Sequence, residues 1–267
     1  MAEEKLSFIE HLEELRKRVI KCLIAVALGC AVSFYFAQKI FSILAIPIKK
    51  ALPPNSTLIF TNPTEAFLIY FKTSLITGLF LATPFILYQI WKFIAPGLYA
   101  REKGYVVPFV IISSILFIGG AFFGYFFVFP PAFQFLINSF ASDFIKPLPS
   151  MKEYFSLATS LLLAFGVIFE TPILIFFLAK VGIVTYKMLL KFQKYAIVLA
   201  FIIGAILTPT PDIFNQSMMA VPLLILYEIG IVIAWVVGKK QKWEENKIPR
   251  TCLVSSFLRL SFEESDN

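Results

Sequence analysis

Between Tyr154 and Ala179 the chain reads YFSLATSLLLAFGVIFETPILIFFLA, and in these 26 residues Glu170 is the one charged side chain. A helix rises about 1.5 Å per residue and bilayer hydrocarbon is about 30 Å thick, so about 20 apolar residues cross it. The stretch reads as a membrane-spanning helix. Working outward, five more apolar runs lie at Val19–Ala37, Ala66–Trp91, Val106–Pro130, Tyr195–Leu207 and Ile213–Val237. Composition agrees: 58% of the 267 residues are hydrophobic, 15% are charged, and mean hydropathy is +0.81. Soluble domains carry roughly 45–50% apolar and about 25% charged residues. The expected fold is an all-α membrane protein of six transmembrane helices with short loops and no soluble domain of ordinary size.

The fifth run is short. Between Lys194 and Pro209 it has about 14 residues, or ~21 Å of helix. Either the helix begins further back, near Phe192, or the bilayer thins beside it. The turn Thr208-Pro209-Thr210-Pro211-Asp212 leaves room only for a hairpin, so the last two spans are antiparallel neighbours.

Lysines and arginines set the orientation. With six spans, eighteen of the 24 fall on the side of both termini and five on the other, with Lys72 just inside a span. Such asymmetry predicts cytoplasmic termini. The chain then divides into a cytoplasmic amphipathic N-terminal helix (1–18), a six-helix transmembrane domain (19–238) and a cytoplasmic tail (239–267). The net charge of +7 is read as orientation and not as nucleic-acid binding. Three cysteines and one histidine are too few for a zinc cluster, a haem relay or a disulfide scaffold. No metal, cofactor or Gly-rich phosphate loop is expected. The first apolar run is followed by no small-residue cleavage site, so no removable signal peptide is expected.

The loop Gln38–Glu65 holds Pro47, Pro53, Pro54 and Pro63, which predicts turns and a short surface helix. The loop Pro131–Glu153 opens with Phe133, Phe135, Leu136, Ile137 and Phe140, an apolar stretch that reads as a helix end or interfacial segment. At the N-terminus, Ser7 and Glu10 make a capping box, with Phe8, Leu12, Leu15 and Val19 at helical spacing. Glu10, Glu14 and Arg18 line the opposite face, and Glu13 lies near Lys17. This face is either solvated, with i,i+4 pairs, or part of a helix on the membrane surface that offers carboxylates to a cationic ligand. Glu102, between Arg101 and Lys103, is open to the same two readings.

Glu170 is different, because an unpaired carboxylate at mid-span costs about 2.5–3.5 kcal/mol even on a lenient scale. It either packs the bundle through a helix-to-helix hydrogen bond or serves function. Thr171-Pro172 beside it should bend the span and free backbone carbonyls. Glu228 reads as a second buried acid. Asp212, with Asn215, Gln216 and Ser217, forms a polar patch at the end of the last span, where Asp212 can cap the helix.

An ordered set of motifs resembles the TatC family, the multispanning receptor subunit of the twin-arginine protein translocase. They are HLEELRKR at 11–18, PFILYQIWKFIAP at 84–96 followed by Gly97-Leu98-Tyr99 and Glu102, Phe129-Pro130, AFGVIFETP at 164–172, LTPTPDIFNQ at 207–216 and YEIG at 227–230. The resemblance covers about residues 8–240. It implies a concave, cup-shaped bundle in a prokaryotic inner membrane, with no catalytic residues and no cofactor. Signal-peptide arginines would bind Glu14 and Glu102. Glu170, Gln216, Asp212 and Glu228 would be intramembrane polar positions coupled to partners, and Pro47, Pro84, Phe93 and Pro96 structural ones. The implied partners are twin-arginine signal peptides of folded precursors, TatA-like and TatB-like single-span proteins, further copies of the chain, and the bilayer, with transport drawing on the proton-motive force. A proton-coupled small-solute transporter is the alternative. It would also keep Glu170 and Glu228, but this sequence shows no internal repeat of the kind many such folds are built from. An intramembrane hydrolase is disfavoured because the sole histidine, His11, lies outside the spans.

Overall fold

In the computed structural model of the chain, residues 8–53, 58–60, 62–94, 106–140, 148–208 and 212–247 are described. Among them the helices are α1 (Phe8–Tyr35), α2 (Ala37–Leu44), α3 (Ile46–Ala51), α4 (Pro63–Ile94), α5 (Val106–Phe123), α6 (Phe129–Phe140), α7 (Met151–Phe169), α8 (Thr171–Lys180), α9 (Tyr186–Leu207) and α10 (Ile213–Lys247), with a π-helical turn at Gly124–Val128. Six stretches are long and apolar enough to cross a bilayer: Glu10–Tyr35, Pro63–Phe93, Val107–Ile137, Met151–Lys180, Tyr186–Leu207 and Ile213–Lys239. The protein is an all-α, multi-pass membrane protein, as the apolar runs predicted.

The helices outrun those apolar runs, because backbone hydrogen bonding continues where side-chain polarity changes. The fifth span begins at Tyr186, nine residues before Tyr195, and its 22 residues make about 33 Å of helix. Lys187, Lys191 and Lys194 ride on its first turns, so only the apolar part is short and the helix is not. Its start is capped by Thr185, whose Oγ1 accepts from Met188 N at 3.4 Å. The amphipathic N-terminal segment runs into the first span as one unbroken helix, α1. It therefore continues along the axis of the first span. Ser7 of the expected capping box lies outside the described residues.

Prolines shape the two interruptions. Pro130 and Pro131 donate no backbone N–H, and just before them the ladder widens to the π-turn, with Phe129 N bonded to Gly124 O. Pro172 likewise ends the ladder of α7: Glu170 closes α7 through Val167 O and opens α8 by accepting from Ile173 N and Leu174 N. The bend expected at Thr171-Pro172 is thus a helix break centred on Glu170.

Packing forms a row. α1 lies on α4, α4 on α5 and α7, α5 on α7, α8 on α10, and α10 on α9. The first and fifth spans are its edges: 6% and 11% of their apolar stretches are buried, against 33–44% for the other four. At the end opposite the termini, the first loop folds into α2 and α3, and the second loop begins as the continuation α6. These are not merely surface helices. Ala45 and Ile48 pack with Phe129, Phe133, Tyr154 and Phe155 in the largest core cluster. Tyr125 Oη donates to Ile43 O at 2.6 Å, and Tyr154 Oη to Leu44 O at 2.5 Å. Pro47 is buried in the first turn of α3.

Candidate functional site

On the face that carries both termini, the first turns of α1 meet the last turns of α4. His11 stacks on Phe93 with ring centroids 4.4 Å apart. Four residues separate Glu14 from Arg18, so one helical turn brings them together. Arg18 donates to Glu14 Oε1 from both Nε and Nη2. Its Nη1 reaches across to α4, 3.4 Å from Gln89 O and 3.5 Å from Gln89 Oε1. The Arg18 side chain is 11% exposed and that of Glu14 30% exposed, so the arginine is held inside and the carboxylate remains accessible. Glu13 pairs with Lys17 at 2.8 Å on a solvated face, with both side chains more than half exposed. Glu102 and Pro96 lie outside the described residues, in the 95–105 connection between α4 and α5. Pro84 sits inside α4, where Thr83 Oγ1 donates to Leu79 O at 3.0 Å.

A buried polar track crosses the middle of the row. Trp91 Nε1 donates to Ser113 Oγ at 3.3 Å, and Ser113 lies beside Glu170. The track thus joins α4, α5 and the α7–α8 break. Glu170 is 9% exposed, and its Oε1 has no hydrogen-bond partner among the described residues.

At the α9–α10 hairpin, Asp212 caps α10: Oδ1 accepts from Asn215 N at 2.7 Å and Oδ2 from Asn215 Nδ2 at 3.0 Å. Gln216 Nε2 donates to Phe201 O at 3.0 Å, tying the two helices. Glu228 departs from expectation. It is exposed on the outer face of α10, and its Oε1 accepts from Gln193 Nε2 of α9. A polar partner on the neighbouring antiparallel helix pairs with the acid on a face that the rest of the chain leaves uncovered. The structure does not bring Glu14, Glu170 and Asp212 into one site; they lie at the terminal face, within the row and at the far hairpin.

Two contributors escape a reading of the sequence. Gln89 positions Arg18 from 71 residues away, and nothing local marks it. Glu65 is 4% exposed and accepts from Ser150 Oγ at 3.1 Å and from Lys152 N at 2.8 Å. It therefore caps α7 from the first turn of α4. Beside it the chain pairs Ile59 with Ser150, and Lys72 Nζ donates to Ser156 Oγ at 3.0 Å.

The family of Sec-independent protein translocase protein (TatC) matches residues 10–222. A relative named Sec-independent protein translocase protein TatC, from Desulforapulum autotrophicum, is 47% identical over 245 residues, covering 92% of this chain and 90% of the relative. The protein of that name from Escherichia coli K12 is 41% identical over 244 residues, covering 91% and 94%. A crystal structure of a twin-arginine translocase receptor TatC superposes with a TM-score of 0.76 at 45% identity, covering 86% of this chain and all of that one. With its ordered motifs, its six spans and relatives matched along nearly their whole length, this chain belongs to the TatC family of Sec-independent protein translocase proteins.

Proposed function

We propose that the chain is the receptor and core subunit of a twin-arginine translocase in a prokaryotic inner membrane, with both termini cytoplasmic. Its ligand is the Arg-Arg pair of a signal peptide, gripped by Glu14 and Glu102. The observation that carries this reading is the Glu14 carboxylate, 30% exposed at the terminal face and steadied by a guanidinium. A carboxylate that already pairs with one guanidinium has the geometry another requires, since arginine offers a planar fork of donors that lysine cannot imitate. Glu102 supports it by tether: its connection leaves α4 after Ile94, next to Phe93, which stacks on His11. The lysine and arginine asymmetry supports the orientation.

The open edges of the row support docking of TatA-like and TatB-like single-span helices and of further copies, with the exposed α9–α10 face as the first candidate. Glu170, Gln216, Asp212 and Glu228 are proposed as the polar positions through which such partners couple. The proton-motive force, worth about 2.3 kcal/mol per charge per 100 mV in its electrical part, would drive passage of folded precursors. The solute-transporter alternative finds no support in the relatives or in the exposed position of Glu228.

Purified protein in detergent and a fluorescent Arg-Arg signal peptide test the reading by anisotropy. The peptide should bind the wild-type protein, and Glu14→Gln with Glu102→Gln should abolish binding. Equal binding of a Lys-Lys peptide to the wild type would overturn it.

A further inference from the structure

We propose that Arg18 is a built-in competitor of the ligand, an internal guanidinium that any signal peptide must displace from Glu14. This rests on the reading of Glu14 given above. Arg18 presents the same chemical group as the ligand, on the carboxylate that would bind the ligand. Both of its contacts fall on Oε1, so Oε2 is open for an incoming donor before Arg18 leaves. Arg18 also has somewhere to go, because its third nitrogen already lies 3.4 Å and 3.5 Å from two oxygens of Gln89. At 11% exposure it is not a freely solvated i,i+4 partner, and the tether to α4 keeps it at hand to re-form the pair.

The consequence is a threshold. When one arginine of the peptide takes Glu14, it replaces a guanidinium with a guanidinium, and the exchange gains little. Net affinity then has to come from the second arginine on the other carboxylate. A peptide with one arginine breaks even at Glu14, and a lysine loses, since it trades a planar fork for a point charge. Arg18 would thus set a threshold at Glu14 that a guanidinium meets and an ammonium does not.

The test is equilibrium binding of fluorescent Arg-Arg, Arg-Lys and Lys-Lys peptides to the purified protein. Arg18→Gln should tighten Arg-Arg binding by about threefold to tenfold, the worth of a lost charge-assisted competitor, and should make Arg-Lys binding measurable. Arg18→Lys, which keeps the charge and the packing but grips the carboxylate less well, should shift binding the same way by a smaller factor. Lys17→Gln removes an equal charge from the neighbouring Glu13 pair and should change nothing. Weaker or unchanged Arg-Arg binding in both Arg18 variants overturns the proposal, as does an equal gain in Lys17→Gln, which would mark simple charge repulsion. Should Glu14→Gln leave wild-type binding intact, the assignment of Glu14 itself fails; should Glu14→Gln lose binding while the Arg18 variants gain none, only the competitor fails.

Discussion

Gly29 of α1 and Gly78 of α4 touch backbone to backbone. A Cβ on Gly29 would stand 2.5 Å from Gly78 O, and one on Gly78 would stand 2.4 Å from Cys30 N. Within a membrane, where lipid is as apolar as any side chain, such close approach is what holds helices together. It anchors an edge helix whose apolar stretch is only 6% buried. It also sets the distance at which Arg18 of α1 meets Gln89 of α4.

Gly78→Leu should therefore push α1 outward. Thermal unfolding in detergent should show a loss on the order of 1–3 kcal/mol, the usual cost of overpacking. Arg-Arg peptide affinity should fall with it, because Arg18 loses Gln89 as its alternative acceptor and stays on Glu14. An unchanged midpoint would mean that α1 is held elsewhere.

Glu65 is expected to matter for stability and not for ligand choice. In Glu65→Ala the amide of Lys152 and the hydroxyl of Ser150 lose their acceptor, worth about 0.5–1.5 kcal/mol per hydrogen bond for these part-buried contacts. Glu65→Gln keeps an acceptor oxygen and should recover part of the loss in the same melt. Discrimination between Arg-Arg and Lys-Lys peptides should stay as in the wild type.

Asp212→Ala removes the cap of α10 and should lower stability by about 1 kcal/mol, whereas Asp212→Asn should hold it. Equal melting of all three proteins would show that the hairpin does not depend on this cap.

Glu170 separates packing from function. Glu170→Gln keeps the shape and a polar head beside Ser113, so both folding and crosslinking to single-span partners should be retained. In Glu170→Ala partner crosslinking and export of a twin-arginine reporter should drop at normal protein levels. Unchanged export in the alanine variant would reduce Glu170 to a packing residue.

The spans are legible in the sequence because hydrocarbon thickness and charge asymmetry act on any long apolar run. Each departure from that reading has a physical reason. Residues 186–194 belong to the fifth span, yet their lysines depress the hydropathy without breaking the helix. Glu228 reads as buried from its apolar neighbours, but Gln193 on the adjacent helix pairs with it at the surface of the row. Glu14 and Arg18 are visible as an i,i+4 pair; Gln89 is not, since its contact with Arg18 depends on how two helices cross. Glu65 escapes for the same reason, as its partner amide belongs to Lys152.

Whether Glu14 and the 95–105 connection form the arginine-binding site can be read from a photo-crosslinker placed beside the arginine pair of a signal peptide and incubated with membranes containing this protein. Adducts should map to residues 10–18 and 95–105 and vanish in the Glu14→Gln, Glu102→Gln double variant. Adducts confined to α9–α10 or to the opposite face, or undiminished in the double variant, would contradict it.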